Sequence, residues 1–187
     1  MGAGKRYSRK PTLPADVMIT TFKDIQKLHS TYPSKKIIFC SGTFDLTHAG
    51  HILFFEDCKK QGDILVVMVG DDASIKQNKG SDRPVLNQHV RLKTVASLKP
   101  VDHCFINPYE EIEGKGEVFY TVRRVFDSFR PDVWVINEDA LDIPSRQRLA
   151  EKYNVQLLIL PRVCPPEFES ISTTAIIKKI KTYSSSV

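Results

Sequence analysis

The chain has 187 residues, 41% hydrophobic and 26% charged, which fits one globular domain large enough to bury a core. No apolar run approaches the roughly 20 residues of a membrane helix, and Cys40, Cys58, Cys104 and Cys164 lack the close spacing of a zinc site or a disulfide framework, pointing to reduced thiols in a cytoplasm. The formal net charge of +5 attracts polyanions without distinguishing nucleic acid from small phosphorylated ligands.

Residues 1–15 carry Gly, Lys, Arg, Ser and Pro with few apolar anchors and read as a disordered basic tail. The tail lacks the apolar stretch of a secretory signal. A single domain is expected over 16–182, with a leading helix in 16–35 and a core in 36–182, then a frayed tail at 183–187. Phe22, Ile25 and Leu28 share one face of that leading helix, and Pro33 lies past its end.

From there apolar runs and helical patterns alternate. "KKIIFC" is a short strand; "HAGHILFFEDCKKQG" is a helix with Lys59 and Lys60 in its last turn, closed by Gly62. "DILVVMVG" is continuously apolar, as a strand covered on both faces must be. "LNQHVRLKTVASLKP" is a helix capped by Asn87; "DHCFI" is a strand; "EVFYTVRRVFDSFRP" is a helix with Phe119, Val122, Val125 and Phe126 inward. "DVWVIN", "SRQRLAEKYN", "VQLLIL" and "TTAIIKKIKTY" complete the series as strand, helix, strand, helix. The alternation predicts a five-stranded parallel, Rossmann-like doubly wound sheet with helices on both faces. Trp134, inside a strand, is expected in the core.

In such a sheet ligands bind beyond the carboxyl ends of the strands. The polar segments "SGTFDLTHAGH", "DDASIKQNKGSDRP", "NEDALD" and "PRVCPPEFESISTT" each follow a strand, so they are expected to meet at one rim. The first has the chemistry of a phosphate site. Gly42 allows a close backbone approach, the amides of Thr43 and Phe44 can face anionic oxygens, and the helix beginning near His48 adds its positive end. His48 and His51 lie three apart, hence on one helical face, and Gly50 keeps that turn open. The pair lacks a nearby third His or Cys for a metal.

These residues resemble the cytidylyltransferase-like nucleotidyltransferases over about 17–182. "GTFDLTHAGH" carries their H-x-G-H element, "KGSDRPVLNQHVRLKTVASLKPVD" resembles the K-G-x-x-R-P…R…VD stretch of the heptose 1-phosphate adenylyltransferases, and "ISTTAIIKKI" resembles the S-T-T signature. "LPR" before "ISTT" is similar to the glycerol-3-phosphate and phosphocholine cytidylyltransferases, although "CPPEF" lengthens the gap, and FAD synthases are a further relative. "INEDA" departs from the Gly-Gly-Asp or Gly-Asp-Asp of these groups at Asn137 and Glu138.

The resemblance implies a nucleotidyltransferase fold and transfer of NMP from ATP, or from CTP, to a sugar or polyol phosphate, with Mg2+ accompanying the triphosphate and a homodimer as a common assembly. The roles it implies are phosphate stabilisation by His48 and His51, a grip on triphosphate or acceptor by Lys79 on the loop after the second strand, an acceptor contact by Arg91, and β- and γ-phosphate contacts by Ser172, Thr173 and Thr174. Asn137, Glu138 and Asp139 are placed to meet base or ribose, and Arg162 to bind the nucleotide. Asp45 has two readings, a water-mediated magnesium contact or a brace for its loop. Two other classes stay open: a nucleotide sensor without catalysis, and nucleic-acid binding through the basic ends, which is disfavoured.

Overall fold

A computed structural model describes residues 18–108 and 119–184. The expected tail at 1–15 lies outside the described residues. Six strands form one parallel sheet: β1 (Met18–Ile19), β2 (Ile37–Gly42), β3 (Ile64–Val69), β4 (His103–Ile106), β5 (Val133–Asn137) and β6 (Gln156–Leu160). Their order is β1-β4-β3-β2-β5-β6. The five predicted strands are β2 to β6. The sixth, β1, adds two residues at the edge, paired with His103 and Cys104, within the segment assigned to the leading helix. That segment holds instead a 3-10 turn, Asp24–Lys27, running into the short α1 (Leu28–Thr31).

Alternation of side chains along the strands produces two cores, one per face. Phe39, Val66, Met68, Phe105 and Trp134 point to one face, where Leu28, α5 (Tyr120–Ser128) through Val125 and Phe126, and α6 (Ile143–Tyr153) through Ala150 cover them. Ile38, Cys40, Leu65, Val67 and Val135 point to the other, beneath Phe55 and Cys58 of α2 (Ala49–Lys59) and Leu92 and Val95 of α4 (Gln88–Val95). Trp134 is fully buried, as expected.

Caps fix where the helices begin. Asn87 Oδ1 accepts from the amides of His89 and Val90 to start α4. Asp71 accepts from the Ser74 amide at 2.7 Å and opens α3 (Asp72–Lys79), a helix where a loop was expected. Lys79 is therefore the last residue of a helix. The final helix, α7 (Thr173–Ser184), runs into the expected tail.

From β2 the chain moves outward through β3 to β4, then returns to place β5 on the other side of β2. The carboxyl ends of β2 and β5 thus flank the switch point where strand order reverses.

Candidate active site

A cleft of about 960 Å³ opens at this edge. Gly42, Thr43, Phe44, Asp45, His48, Gly50, His51, Lys79, Asn137, Asp139, Arg162, Ser172, Thr173 and Thr174 all line it. Segments from opposite ends of the domain therefore meet at one rim, as the alternation predicted.

The loop after β2 is strained and held. Phe44 and Leu46 both have left-handed backbones, with φ of 50° and 45°, each costing on the order of 1–3 kcal/mol for a non-glycine residue. Asp45 between them is buried, and its carboxylate accepts from the amides of Val85 (2.8 Å) and Leu86 (3.0 Å) and from Arg83 Nε (3.2 Å). Both carboxylate oxygens are committed to residues 83–86, so Asp45 is a brace between two loops; the partners are amides of a different loop from its own. Gly42 lines the cleft and also makes room for a neighbouring ring. A Cβ there would lie 2.7 Å from the Phe44 ring, which packs edge-on to His51 and against Phe55.

His48 is the extended residue just before α2 and His51 lies in its first turn. Their rings stack with centroids 4.0 Å apart. The His48 amide donates to His51 Nδ1 at 3.4 Å, which puts the proton of a neutral His51 ring on Nε2. His48 Nδ1 is buried and, among the described residues, has no hydrogen-bond partner. Gly50 makes this fold possible, because a Cβ there would sit 3.1 Å from His48 Cε1 and Nδ1. Burial, then repulsion from His48, Arg162 and Lys79, depresses His51 to a pKa of about 4, against the opposing pull of Asp45. Burial and the positive Arg162 depress His48 as well. At neutral pH both imidazoles are uncharged donors.

The amino terminus of α7 closes the same wall. Ser172 Oγ accepts from the Ala175 amide at 3.1 Å, the geometry of a helix cap, which leaves its own proton free to donate. The Thr173 hydroxyl donates to the Asp45 carbonyl at 2.8 Å and so ties α7 to the strained loop. Two helices of at least 11 residues thus aim positive ends into one cleft. Lys79 stands at the mouth, with its pKa lowered by burial and by nearby Arg83.

Two expected ligand contacts are absent from the cleft. Arg91 is fully buried, and its guanidinium donates to the carbonyls of Leu86 (2.8 Å) and Thr43 (2.6 Å) and pairs with Asp72 at 2.7 Å. It ties the loop after β2 to residues 72 and 86, and its bonds are spent inside the protein. Glu138 accepts from the Arg162 amide at 3.0 Å, while Asp139 pairs with Arg162 Nη1 at 2.7 Å. The unusual "NEDA" residues therefore hold Arg162, which in turn raises the positive potential at both histidines.

Sequence reasoning passes over Arg83, Asn107 and Arg146, which also line the cleft. Arg83 lies within the quoted "KGSDRP" and Asn107 opens the short polar segment "NPYEE" after β4, whereas nothing local marks Arg146. Among the described residues no group of three or more His, Cys, Asp or Glu could hold a metal ion, and no helix is long and apolar enough to cross a membrane.

Comparisons with known proteins agree with this geometry. The bifunctional protein HldE of Helicobacter pylori (strain ATCC 700392 / 26695) is 34% identical over 158 residues, 84% of this chain and 30% of the relative. HldE of Pseudomonas syringae pv. tomato is 35% identical over 148 residues, 79% of this chain and 28% of the relative. The chain thus spans under a third of the length of these relatives. Of solved structures, a lipopolysaccharide core biosynthesis protein from Thermoplasma volcanium GSS1 superposes with a TM-score of 0.54 at 27% identity, covering 70% of this chain and 98% of that one. Pantothenate synthetase of Thermus thermophilus, at 18% identity and a TM-score of 0.59 over 86% of this chain and 69% of that one, shows the shared fold. Residues 39–179 match the cytidylyltransferase-like family model, and the chain belongs to that family of nucleotidyltransferases.

Proposed function

We propose that the cleft binds a nucleoside triphosphate and transfers its nucleotidyl group to the phosphate of a sugar or polyol phosphate. The observation that carries this reading is the convergence of two helix amino termini and two stacked imidazoles on one cleft. An acceptor phosphate oxygen attacks the α-phosphorus, the bond from that phosphorus to the α,β-bridging oxygen breaks, and its electron pair leaves with pyrophosphate. The attacking oxygen is already anionic, so no general base is needed. What the reaction needs is alignment of two anions and donors for spreading charge.

His48 and His51 supply donors that strengthen as charge builds on the α- and β-phosphates. Ser172 and the first amides of α7 face the terminal phosphates, with Lys79 and Arg162 adding positive charge. Asp45 is committed elsewhere, so Mg2+ would be held by the triphosphate itself and would supply a counter-charge to it. The sequence resemblance to heptose 1-phosphate adenylyltransferases favours ATP over CTP and a sugar phosphate as acceptor. Coupled detection of pyrophosphate, with ATP or CTP and a panel of sugar 1-phosphates and glycerol 3-phosphate, tests the reading. Release dependent on one nucleotide and on an acceptor is expected. Nucleotide binding without release across the panel would make the chain a nucleotide sensor.

A further inference from the structure

One part of the cleft wall, the Arg146 lobe, belongs to the face of the sheet opposite α2: Ile136 and Ala140 pack there with the Trp134 core, and Phe119, Thr121 and Arg146 line the cleft beside them. Arg146 is half-buried there on α6. Its guanidinium carbon sits 4.9 Å from the centre of the Phe119 ring and 5.4 Å from that of Trp134. Its Nε donates to the Leu141 carbonyl at 2.8 Å.

That bond and the two rings fix the plane of the guanidinium and, among the described residues, leave the two terminal nitrogens uncommitted. Among the described residues no carboxylate lies within ion-pair distance of it, in contrast to Arg83, Arg91 and Arg162. Burial lowers its pKa, with Asp142, the cap of the same helix, opposing. A partly desolvated cation without a counter-charge, in the wall of a cleft, is costly to maintain unless a ligand supplies the anion. The stacking energy of the rings offsets part of that cost and holds the fork ready for a bidentate contact. Thr121, in the first turn of α5, lines the same cleft.

We propose that Arg146 is the anion receptor for the acceptor substrate, gripping its phosphate or an acidic substituent on the face opposite the imidazole pair. This rests on the nucleotidyl-transfer reading, since the nucleotide's own phosphates are already served by His48, His51, Lys79, Ser172 and Arg162. The lobe sets acceptor choice: anionic sugars and polyols enter, and neutral ones are rejected because they leave the guanidinium without its anion.

The fold supplies its own reporter. Trp134 is the single tryptophan of the chain and lies against Arg146, so an anion on that guanidinium changes the indole's electrostatic surroundings and its emission. Glycerol 3-phosphate and mannose 1-phosphate are titrated into the full chain, with a non-hydrolysable ATP analogue present, and tryptophan fluorescence is followed. Saturable change is expected in the wild type, weakened about 10- to 100-fold in Arg146→Gln, as for loss of a bidentate charged contact. Arg146→Lys, keeping the charge without the fork, is expected in between. Affinity for the ATP analogue, read by thermal shift, is expected to change less than about two-fold. Equal acceptor affinity in wild type and Arg146→Gln overturns the proposal, as does a loss of nucleotide affinity in that variant with acceptor binding unaltered. An Arg146-dependent fluorescence response without pyrophosphate release would sustain the anion site and sink the transfer reading instead.

Discussion

If His51 is enclosed and surrounded by positive charge, lowering the pH must cost the fold more than the unfolded chain. The imidazole moves from an ordinary pKa of 6.5 to about 4 on folding. At about 1.36 kcal/mol per unit this is worth roughly 3 kcal/mol, and the solvent-facing edge of the ring trims it to about 2. The sign follows from which state takes the proton first. Between pH 6.5 and 4 the unfolded chain protonates this histidine while the folded one does not, so stability is full above about pH 7 and falls towards pH 4. His48 and His103, both lowered by burial, add slope of the same sign. His51→Gln isolates the one contribution. Urea denaturation from about pH 4.5 to 8 is expected to show wild type losing about 2 kcal/mol more than His51→Gln across the window. An imidazole titration by NMR that places His51 within about half a unit of the ordinary value would refute the reasoning, because a solvated ring cannot be the enclosed donor described here.

Three further substitutions separate catalytic from structural roles. His48→Ala is expected to lower turnover by about 10²- to 10³-fold, as for loss of one transition-state donor, with nucleotide affinity changed far less; stopped-time pyrophosphate assays and thermal shift measure the two. Gly50→Ala places a methyl 3.1 Å from the His48 ring and is expected to cut turnover about ten-fold by displacing it, while melting temperature holds or rises, alanine being the better helix former by about 1 kcal/mol. A fall in stability with normal turnover would contradict that assignment. Arg91→Met removes three hydrogen bonds from a buried guanidinium and is expected to destabilise by about 3 kcal/mol in urea denaturation, whereas a surface arginine would cost under about 1 kcal/mol.

The order of strands and helices is legible because each buried strand is a short apolar run between turn residues, a pattern fixed by local chemistry. β1 is not, since two residues carry no periodicity and their pairing depends on His103 and Cys104, far along the chain. α3 resembles a loop in sequence because only Ile75 and Ser74 of its eight residues are buried; the Asp71–Ser74 cap is the available signal. At the site, the histidine pair and the Ser-Thr-Thr start are each encoded within a short contiguous stretch and stand out there. Arg91 and Glu138 look like ligand contacts in sequence and Asp45 fits either a magnesium contact or a brace; only the packing of distant loops shows that their hydrogen bonds are spent internally. Arg146 carries no local mark, because its meaning comes from two rings and, among the described residues, from the lack of a carboxylate partner, all set by tertiary structure.

The chain contains five histidines, His29, His48, His51, His89 and His103, and this makes the imidazole spectrum the most direct probe of the triphosphate site. Saturating a ¹⁵N-histidine-labelled sample with a non-hydrolysable ATP or CTP analogue and magnesium is expected to shift the resonances of His48 and His51 and raise both pKa values, as anionic oxygens reach their rings. The other three should hold still. Saturation by nucleotide with His48 and His51 unmoved would contradict the account.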